Sequence, residues 1–562
     1  MKKNNISTIG FIIISIITVV FIVYYSESTV QTAISINENN KLIVQKPDVI
    51  IEYYNQDNDF IVDGEKIIYI SLDILSEHLN TRTSFDPEDN IAIITTLDKV
   101  IRFYGETDRV KVNGMEVDYI SPMIMYDKKL LIPVSQIEES LKIESNIIEN
   151  SNNIIIRSLL DNERVGETDR SIVTLKRDKS PWSEVIGVLS RGDKIQIISE
   201  DNEWMKILTD GGMEGFVKKG TIGKIEKIMG LEDEKNTSIW KPEKDRISLT
   251  WEHVHSRNPD TKKIKEMEGV NVISPTWIKL SSPSGGLKSN ISKNYIDWAK
   301  GRGYKIWVLF SNSFDPDLTD KFLNNSIARE RVINDLLEMI KDNDIDGINI
   351  DFENVYVKNK ELLVQFVREM TPVFHENGLV VSIDVTVKGG GDNWSKFLDR
   401  KALGEVVDYM AVMTYDEHWR SSPISGSVAS IGWVERGIKG ILEEVPAEKL
   451  LLGVPFYTRL WIETPSQKEP NKMDVKSKAI SMETAMDILR RNNGIKIWDE
   501  EAGQYYTAYI ADNKLHKIWF EDSRSIKLKT DLVKKYNLAG VASWRRGFET
   551  EDIWPTINNN IN

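Results

Sequence analysis

The stretch Asp346-Gly347-Ile348-Asn349-Ile350-Asp351-Phe352-Glu353 decides the reading of this chain. Apolar Ile348, Ile350 and Phe352 alternate with Asn349, Asp351 and Glu353. That is the strand period of two, so the three polar side chains share one face. Such a strand fits a place where its outer face meets helices and its inner face lines a site. Two carboxylates two residues apart on a buried face repel, and each raises the other's pKa. The repulsion is expected to keep Glu353 protonated at neutral pH, the state a general acid requires.

Working outward, apolar strands alternate with amphipathic helices from residue 246 onward, the pattern of a parallel α/β fold. Strands are expected at Ile247–Trp251, Val270–Pro275, Lys305–Phe310, the quoted stretch, Leu379–Asp384, Tyr409–Met413, Leu450–Pro455 and Ala539–Trp544. Helical stretches such as Arg329–Lys341 and Lys360–Glu376 separate them. The pattern predicts a TIM (β/α)8 barrel over 246–556. An α+β insertion is expected between the seventh and eighth strands, where Lys496-Ile497-Trp498 and Tyr505–Tyr509 read as extra antiparallel strands. In such a barrel the site lies at the C-terminal ends of the strands. Glu353, the run Met413-Thr414-Tyr415-Asp416 and Trp544 all fall there.

Asp-Gly-x-x-x-Asp-x-Glu resembles the signature of glycoside hydrolase family 18, the chitinase-like barrels. The resemblance implies that Glu353 is the general acid/base and that Asp351 supports the substrate's acetamido group. Met413, Tyr415 and Asp416 resemble the family's Met-x-Tyr-Asp motif. Tyr415 would hold the acetamido carbonyl, while Met413 and Asp416 would line the subsite. Trp544 matches the aromatic floor, whose face suits the C–H face of a sugar. Chitinases usually carry Asp where this chain has Asn349, counted here with the substrate-binding residues. This variant resembles the branch of spore-cortex and peptidoglycan N-acetylglucosaminidases. The implied chemistry is substrate-assisted retention, in which the 2-acetamido oxygen attacks the anomeric carbon. It calls for no metal or organic cofactor.

The rest of the chain sets the context. Its 562 residues are too many for one domain and suggest about three or four. A net charge of −14 argues against nucleic acid as partner. The absence of cysteine excludes disulfides and thiolate metal sites. His253 and His255 are the one close histidine pair and lack a third ligand at metal spacing. Lys2 and Lys3 precede the apolar run Ile9–Tyr25. That run reads as a signal anchor over 1–27 with its N-terminus in the cytoplasm, a cleaved signal peptide being the alternative.

A polar linker is expected at 28–40. Over 41–158, Ile67–Leu75 is echoed by Leu130–Ile137, which suggests a duplicated β-α-β unit with Ser at each helix start. This α+β domain resembles the copper amine oxidase N-terminal-like domain of exported bacterial proteins. Over 164–225, short strands such as Asp193–Ile198, Glu203–Leu208 and Gly212–Val217 resemble a small all-β bacterial SH3-like barrel, with Trp204 and Phe216 in its core. A second linker is expected at 226–245. The expectation is an exported, monomeric glycosidase acting on peptidoglycan or another N-acetylglucosamine polymer at the membrane, cell wall or spore envelope. A chitinase and a non-catalytic wall-binding lectin are the alternatives.

Overall fold

The computed structural model describes residues 41–45, 50–54, 58–105, 107–148, 153–230, 245–466 and 472–562. The expected signal anchor, the linker at 28–40 and most of the second linker lie outside the described residues. Among the described residues no helix is long and apolar enough to cross a membrane. The chain divides into two compact units, 1–237 and 238–562.

The first unit is mostly β-structure. A five-stranded antiparallel meander runs from Arg82–Asp86 to Met115–Val117. Two four-stranded sheets complete the lobe that ends at Ser158. The duplication is visible where the two copies meet, with Leu131 opposite Ser71 and Ile132 opposite Ile70. Each copy differs from the expected β-α-β unit, because its helical turn leads into an antiparallel hairpin. The hairpins are Arg82–Asp86 with Ile91–Thr95, and Ile143–Ile148 with Asn153–Ser158. Ser71 caps helix Leu72–His78 by accepting from the Ile74 amide at 3.4 Å. Ser135 does not cap; it lies inside a 3₁₀ turn, Val134–Gln136, that follows directly on Pro133.

The second lobe is a seven-stranded antiparallel sheet around Val173, Leu175, Ile195, Ile197, Met205, Ile207 and Val217. Trp204 is buried, but on the face opposite that core, beneath the Lys218 ammonium at 5.2 Å. Phe216 is not in that core either: it is half-buried on that same opposite face, beneath the Lys179 ammonium at 5.9 Å. The last strand, Ile222–Ile228, pairs with Glu163–Thr168 and runs into the segment read as linker. An edge strand is held by its backbone ladder, so its exposed residues carry little apolar alternation.

The second unit is the barrel. One sheet holds ten strands in the order 272–275, 247–252, 540–544, 450–455, 409–413, 380–386, 347–351, 305–311, 278–280 and 287–289. The last two form a hairpin outside the ring. The other eight are parallel, and pairing of Val272 with Lys305 closes them. All eight expected strands are present, in the expected order. Ile247, Leu249, Trp251, Val272, Trp307, Leu309, Tyr409, Ala411, Leu451 and Ala542 fill the interior. It is a packed core of layered side chains, as the fold requires.

Outside the fourth strand, Phe352 and Phe310 pack on Phe366 of helix Lys360–Glu376. The insertion is larger than expected: a five-stranded antiparallel sheet spanning Tyr457–Phe520, with helix Met482–Arg491 packed on it.

Candidate active site

The fourth barrel strand, Gly347–Asp351, is buried throughout. Its inward side chains step up the barrel axis. Asn349 is wholly buried, Asp351 is 8% exposed, and Glu353 stands half-buried two residues beyond the strand end. Asn312, at the end of the third strand, fixes Glu353 through the backbone: its Oδ1 accepts from the Glu353 amide at 3.1 Å, and its Nδ2 donates to the Glu353 carbonyl at 2.8 Å. That clamp sets where the carboxyl begins without occupying it.

Asn349 was expected to bind substrate, and the structure places its amide among partners inside the barrel. Its Oδ1 accepts from Trp251 Nε1 at 2.8 Å and Ser274 Oγ at 3.1 Å. Its Nδ2 donates to Asp384 Oδ1 at 2.8 Å and Ser382 Oγ at 3.2 Å. The amide's hydrogen-bonding capacity is used inside the barrel. Strand rise places Asn349 roughly 7 Å below Asp351. It is a positioning residue that orients Asp384.

Asp384, from the fifth strand, had not been singled out. It is 3% exposed, beside Asp351. Burial pushes both carboxyls well above the usual carboxylate range, and for Asp351 the Asp384 charge adds to it. Two such groups cannot both ionise in a shared dry site. Asp384 accepts the Asn349 bond, which favours its charged form, whereas Asp351 Oδ1 has no hydrogen-bond partner. The Asn349 bond therefore favours leaving a shared proton on the Asp351 side of the pair. Glu353 is also held well above its usual value, by burial first and then by the Asp351 and Asp416 charges. The shift has the expected direction, with desolvation as its larger cause and repulsion by neighbouring acids the smaller.

Tyr415 follows the sixth strand, and its ring meets Tyr457 edge-on at 6.2 Å. Burial and the charges of Asp384, Tyr457, Asp351 and Glu353 push its phenol well above the ordinary value, so it remains a donor. Asp416 is oriented by the insertion: its Oδ1 accepts from Tyr457 Oη at 2.5 Å and Arg459 Nη2 at 3.1 Å. Met413 closes the sixth strand, half-buried. Trp544 closes the eighth, half-buried, with its ring 6.0 Å from Trp251.

The fold thus brings Glu353, Asp351, Tyr415 and Asp416 within electrostatic reach of one another, and Trp251 links Trp544 to Asn349. Sequence reasoning missed Asn312, Asp384, Tyr457 and Arg459. For Asp384 a signal existed: Ser382 and Asp384 alternate with Val381, Ile383 and Val385, the same period two. Among the described residues no group of three or more His, Cys, Asp or Glu is placed to hold a metal ion.

Residues 279–549 match the family described as glycosyl hydrolases family 18, 179–223 match the bacterial SH3 domain, and 49–156 match the copper amine oxidase N-terminal domain. A Bacillus subtilis glycosylase, YvbX, is 26% identical over 291 residues, which are 49% of this chain and 80% of that protein. The cortical fragment-lytic enzyme of Bacillus subtilis is 30% identical over 262 residues, covering 46% of this chain. The chain spans 59% of that enzyme's length. The C-terminal domain of a putative chitinase from Desulfitobacterium hafniense aligns over 57% of this chain and 100% of its own, with TM-score 0.51 and 24% identity, a likeness of fold.

Proposed function

We propose that this chain, whose barrel belongs to glycosyl hydrolase family 18, cleaves β-1,4 N-acetylglucosaminyl linkages of peptidoglycan, including that of the spore cortex. The observation that carries the reading is the half-buried Glu353 at the C-terminal mouth of the barrel, its carboxyl raised well above the usual range by burial and by the Asp351 and Asp416 carboxyls. The family likeness supports substrate-assisted retention at this site. Glu353 gives its proton to the glycosidic oxygen while the substrate's acetamido oxygen attacks the anomeric carbon. Tyr415 donates to that acetamido oxygen. The acetamido N–H meets Asp351, whose Oδ1 is buried without a hydrogen-bond partner. As positive charge grows on the ring being formed, Asp351 ionises and its proton passes to Asp384. Glu353, now a carboxylate, then takes a proton from the water that opens the oxazolinium ring. Trp544 floors the subsite, and Met413 and Asp416 line it.

The cortical fragment-lytic enzyme among the relatives, the SH3-type module and Asn349 in place of the chitinase Asp support peptidoglycan over chitin. Export, with Ile9–Tyr25 as anchor and the barrel outside the cell, belongs to the same proposal. The test is product analysis. The full-length protein is incubated with peptidoglycan, spore-cortex fragments and chitin oligomers, with Glu353→Gln as control, and reducing ends are read by mass spectrometry. N-acetylglucosamine ends from wall or cortex, absent with the variant, are expected. Release from chitin alone would make the protein a chitinase. Binding without product on all three would make it a lectin.

A further inference from the structure

The rim of the barrel beside Trp544 carries positive charge that the reaction above leaves unused. The first strand ends at Glu252 and the eighth at Trp544. The loops that follow are tied together: the Arg546 amide donates to the Trp251 carbonyl at 3.1 Å, and the Thr276 amide donates to the Glu252 carbonyl at 3.0 Å. These ties bring His253, Arg545 and the loop that enters hairpin Ile278–Leu280/Leu287–Ser289 to adjoining places on the rim. The His253 ring lies edge-on to Trp544, 6.0 Å away.

Three cations there have no acid of their own. Arg545 is half-buried over the Phe548 ring at 4.0 Å, and among the described residues its guanidinium has no hydrogen bond or ion pair. Lys279 stands directly opposite Lys288 across the hairpin ladder, and neither ammonium has an acidic partner among the described residues. Like charges paired across a ladder destabilise it, and a desolvated cation without a partner costs more. The nearby acids are committed elsewhere. Glu252 takes Arg546 on both oxygens and the Tyr295 hydroxyl at 3.1 Å. Glu549 accepts from the Gly547 amide at 2.6 Å. Convergence of the cations is independently felt at His253, whose imidazole is held below its ordinary value by burial and then by Arg545, Lys279 and His255. All this occurs in a chain of net charge −14.

We propose that Arg545 and Lys279, with Lys288 behind them, form an anion-accepting subsite beside the Trp544 floor, which takes a carboxylate borne by the sugar next to the one bound on Trp544. The inference rests on the proposed function and deepens it. In peptidoglycan, with N-acetylglucosamine on Trp544, the neighbouring sugar carries a 3-O-lactyl group. That group ends either in a free carboxylate or in a peptide with carboxylates of its own. Chitin is neutral along its length. The subsite selects the alternating, acidic glycan.

The test uses full-length Glu353→Gln protein, so that bound glycan persists, and isothermal titration with three tetrasaccharides of alternating sugars. One carries free lactyl carboxylates, one the same groups as methylamides, and one peptide-bearing lactyl groups. At low salt, one acidic glycan is expected to bind about tenfold more tightly than the amidated one, the effect of a single partly desolvated ion pair. The preference should shrink as salt rises. Which acidic glycan shows it identifies the source of the carboxylate. Adding Arg545→Gln and Lys279→Gln should erase the preference. If that protein does not fold, Lys279→Gln alone on the hairpin should halve it or better. Equal affinities for all three glycans, or a preference that survives the substitutions, would overturn the subsite. Turnover of the same glycans by the wild-type protein reports separately on the function. Hydrolysis without preference removes only the subsite, and preference without hydrolysis removes only the glucosaminidase reading.

Discussion

Two groups of buried carboxylates in the same barrel are treated in opposite ways. Glu369, between two outer helices, is fully buried, and Arg329 meets it at 3.2, 3.1 and 2.9 Å while Gln365 adds a bond at 3.0 Å. Glu521, also fully buried, has Lys529 at 2.9 Å on both oxygens, with Ser525 at 2.7 Å and Gln504 at 2.6 Å. Burial leaves Glu521 raised overall, with Lys529 and Ser525 acting against it. At the mouth of the barrel nothing pulls Asp351 or Glu353 down; burial and neighbouring acids all act upward. Carboxylates that hold the structure are neutralised by a cation and by donors. Those at the mouth are left uncompensated, as groups that must carry and release a proton are.

The largest expected effect lies at the mouth. Glu353→Gln should lower kcat by about 10²–10⁴-fold, the usual contribution of a positioned general acid. Its melting temperature should be unchanged or raised, because the substitution removes a desolvated carboxyl. The helix layer should answer the other way. Glu369→Ala leaves the Arg329 charge buried without an acid, with the Leu323 carbonyl still accepting from its Nη1, and denaturant unfolding should show a loss of about 3–5 kcal/mol.

Asp384→Asn sharpens the contrast through pH. A carboxyl whose pKa is raised in the fold contributes stability that is fully present below the unfolded value and lost as pH rises through the folded one. Wild type and variant should therefore melt together near pH 4. At pH 8 the variant should melt higher by a few degrees, about what 1–2 kcal/mol gives in a domain of this size. Its turnover should fall nonetheless, because Asp351 loses the partner that receives its proton. The smallest effect belongs to the surface. Glu435, held at about 2 by Lys535 and Tyr536, is partly exposed. Glu435→Gln should cost under about 1 kcal/mol, and only above the ordinary carboxylate range.

The barrel was legible because strands rich in apolar residues, some near-continuous such as Leu450–Pro455 and some alternating such as Ile348–Glu353, recur between amphipathic helices along 246–556. Alternation and strand ends put Glu353 and Asp351 on one face at the C-terminal mouth, whereas the role proposed for Tyr415 came from its resemblance to a family motif. Depth was not legible. Alternation puts Asn349 and Asp351 on the same face, but only closure of the barrel shows that Asn349 lies beneath the site with its bonds consumed. Asp384 was missed although Ser382 and Asp384 alternate with Val381, Ile383 and Val385, because local spacing does not show that its strand lies beside the one carrying Asp351. Asn312 acts through the Glu353 backbone, and the residue that clamps a main chain carries no chemical signature of its own. The strand at 222–228 and the Ser135 turn went astray for a simpler reason. Edge pairing and tight turns are settled by backbone hydrogen bonds, which side-chain patterns record poorly.

The most direct test measures turnover per folded molecule and melting temperature together for Glu353→Gln and Glu369→Gln, on the same peptidoglycan substrate at neutral pH. The account predicts a crossed result. Glu353→Gln loses turnover and keeps its stability, whereas Glu369→Gln loses stability and keeps its turnover. Hydrolysis by Glu353→Gln at the wild-type rate would contradict it.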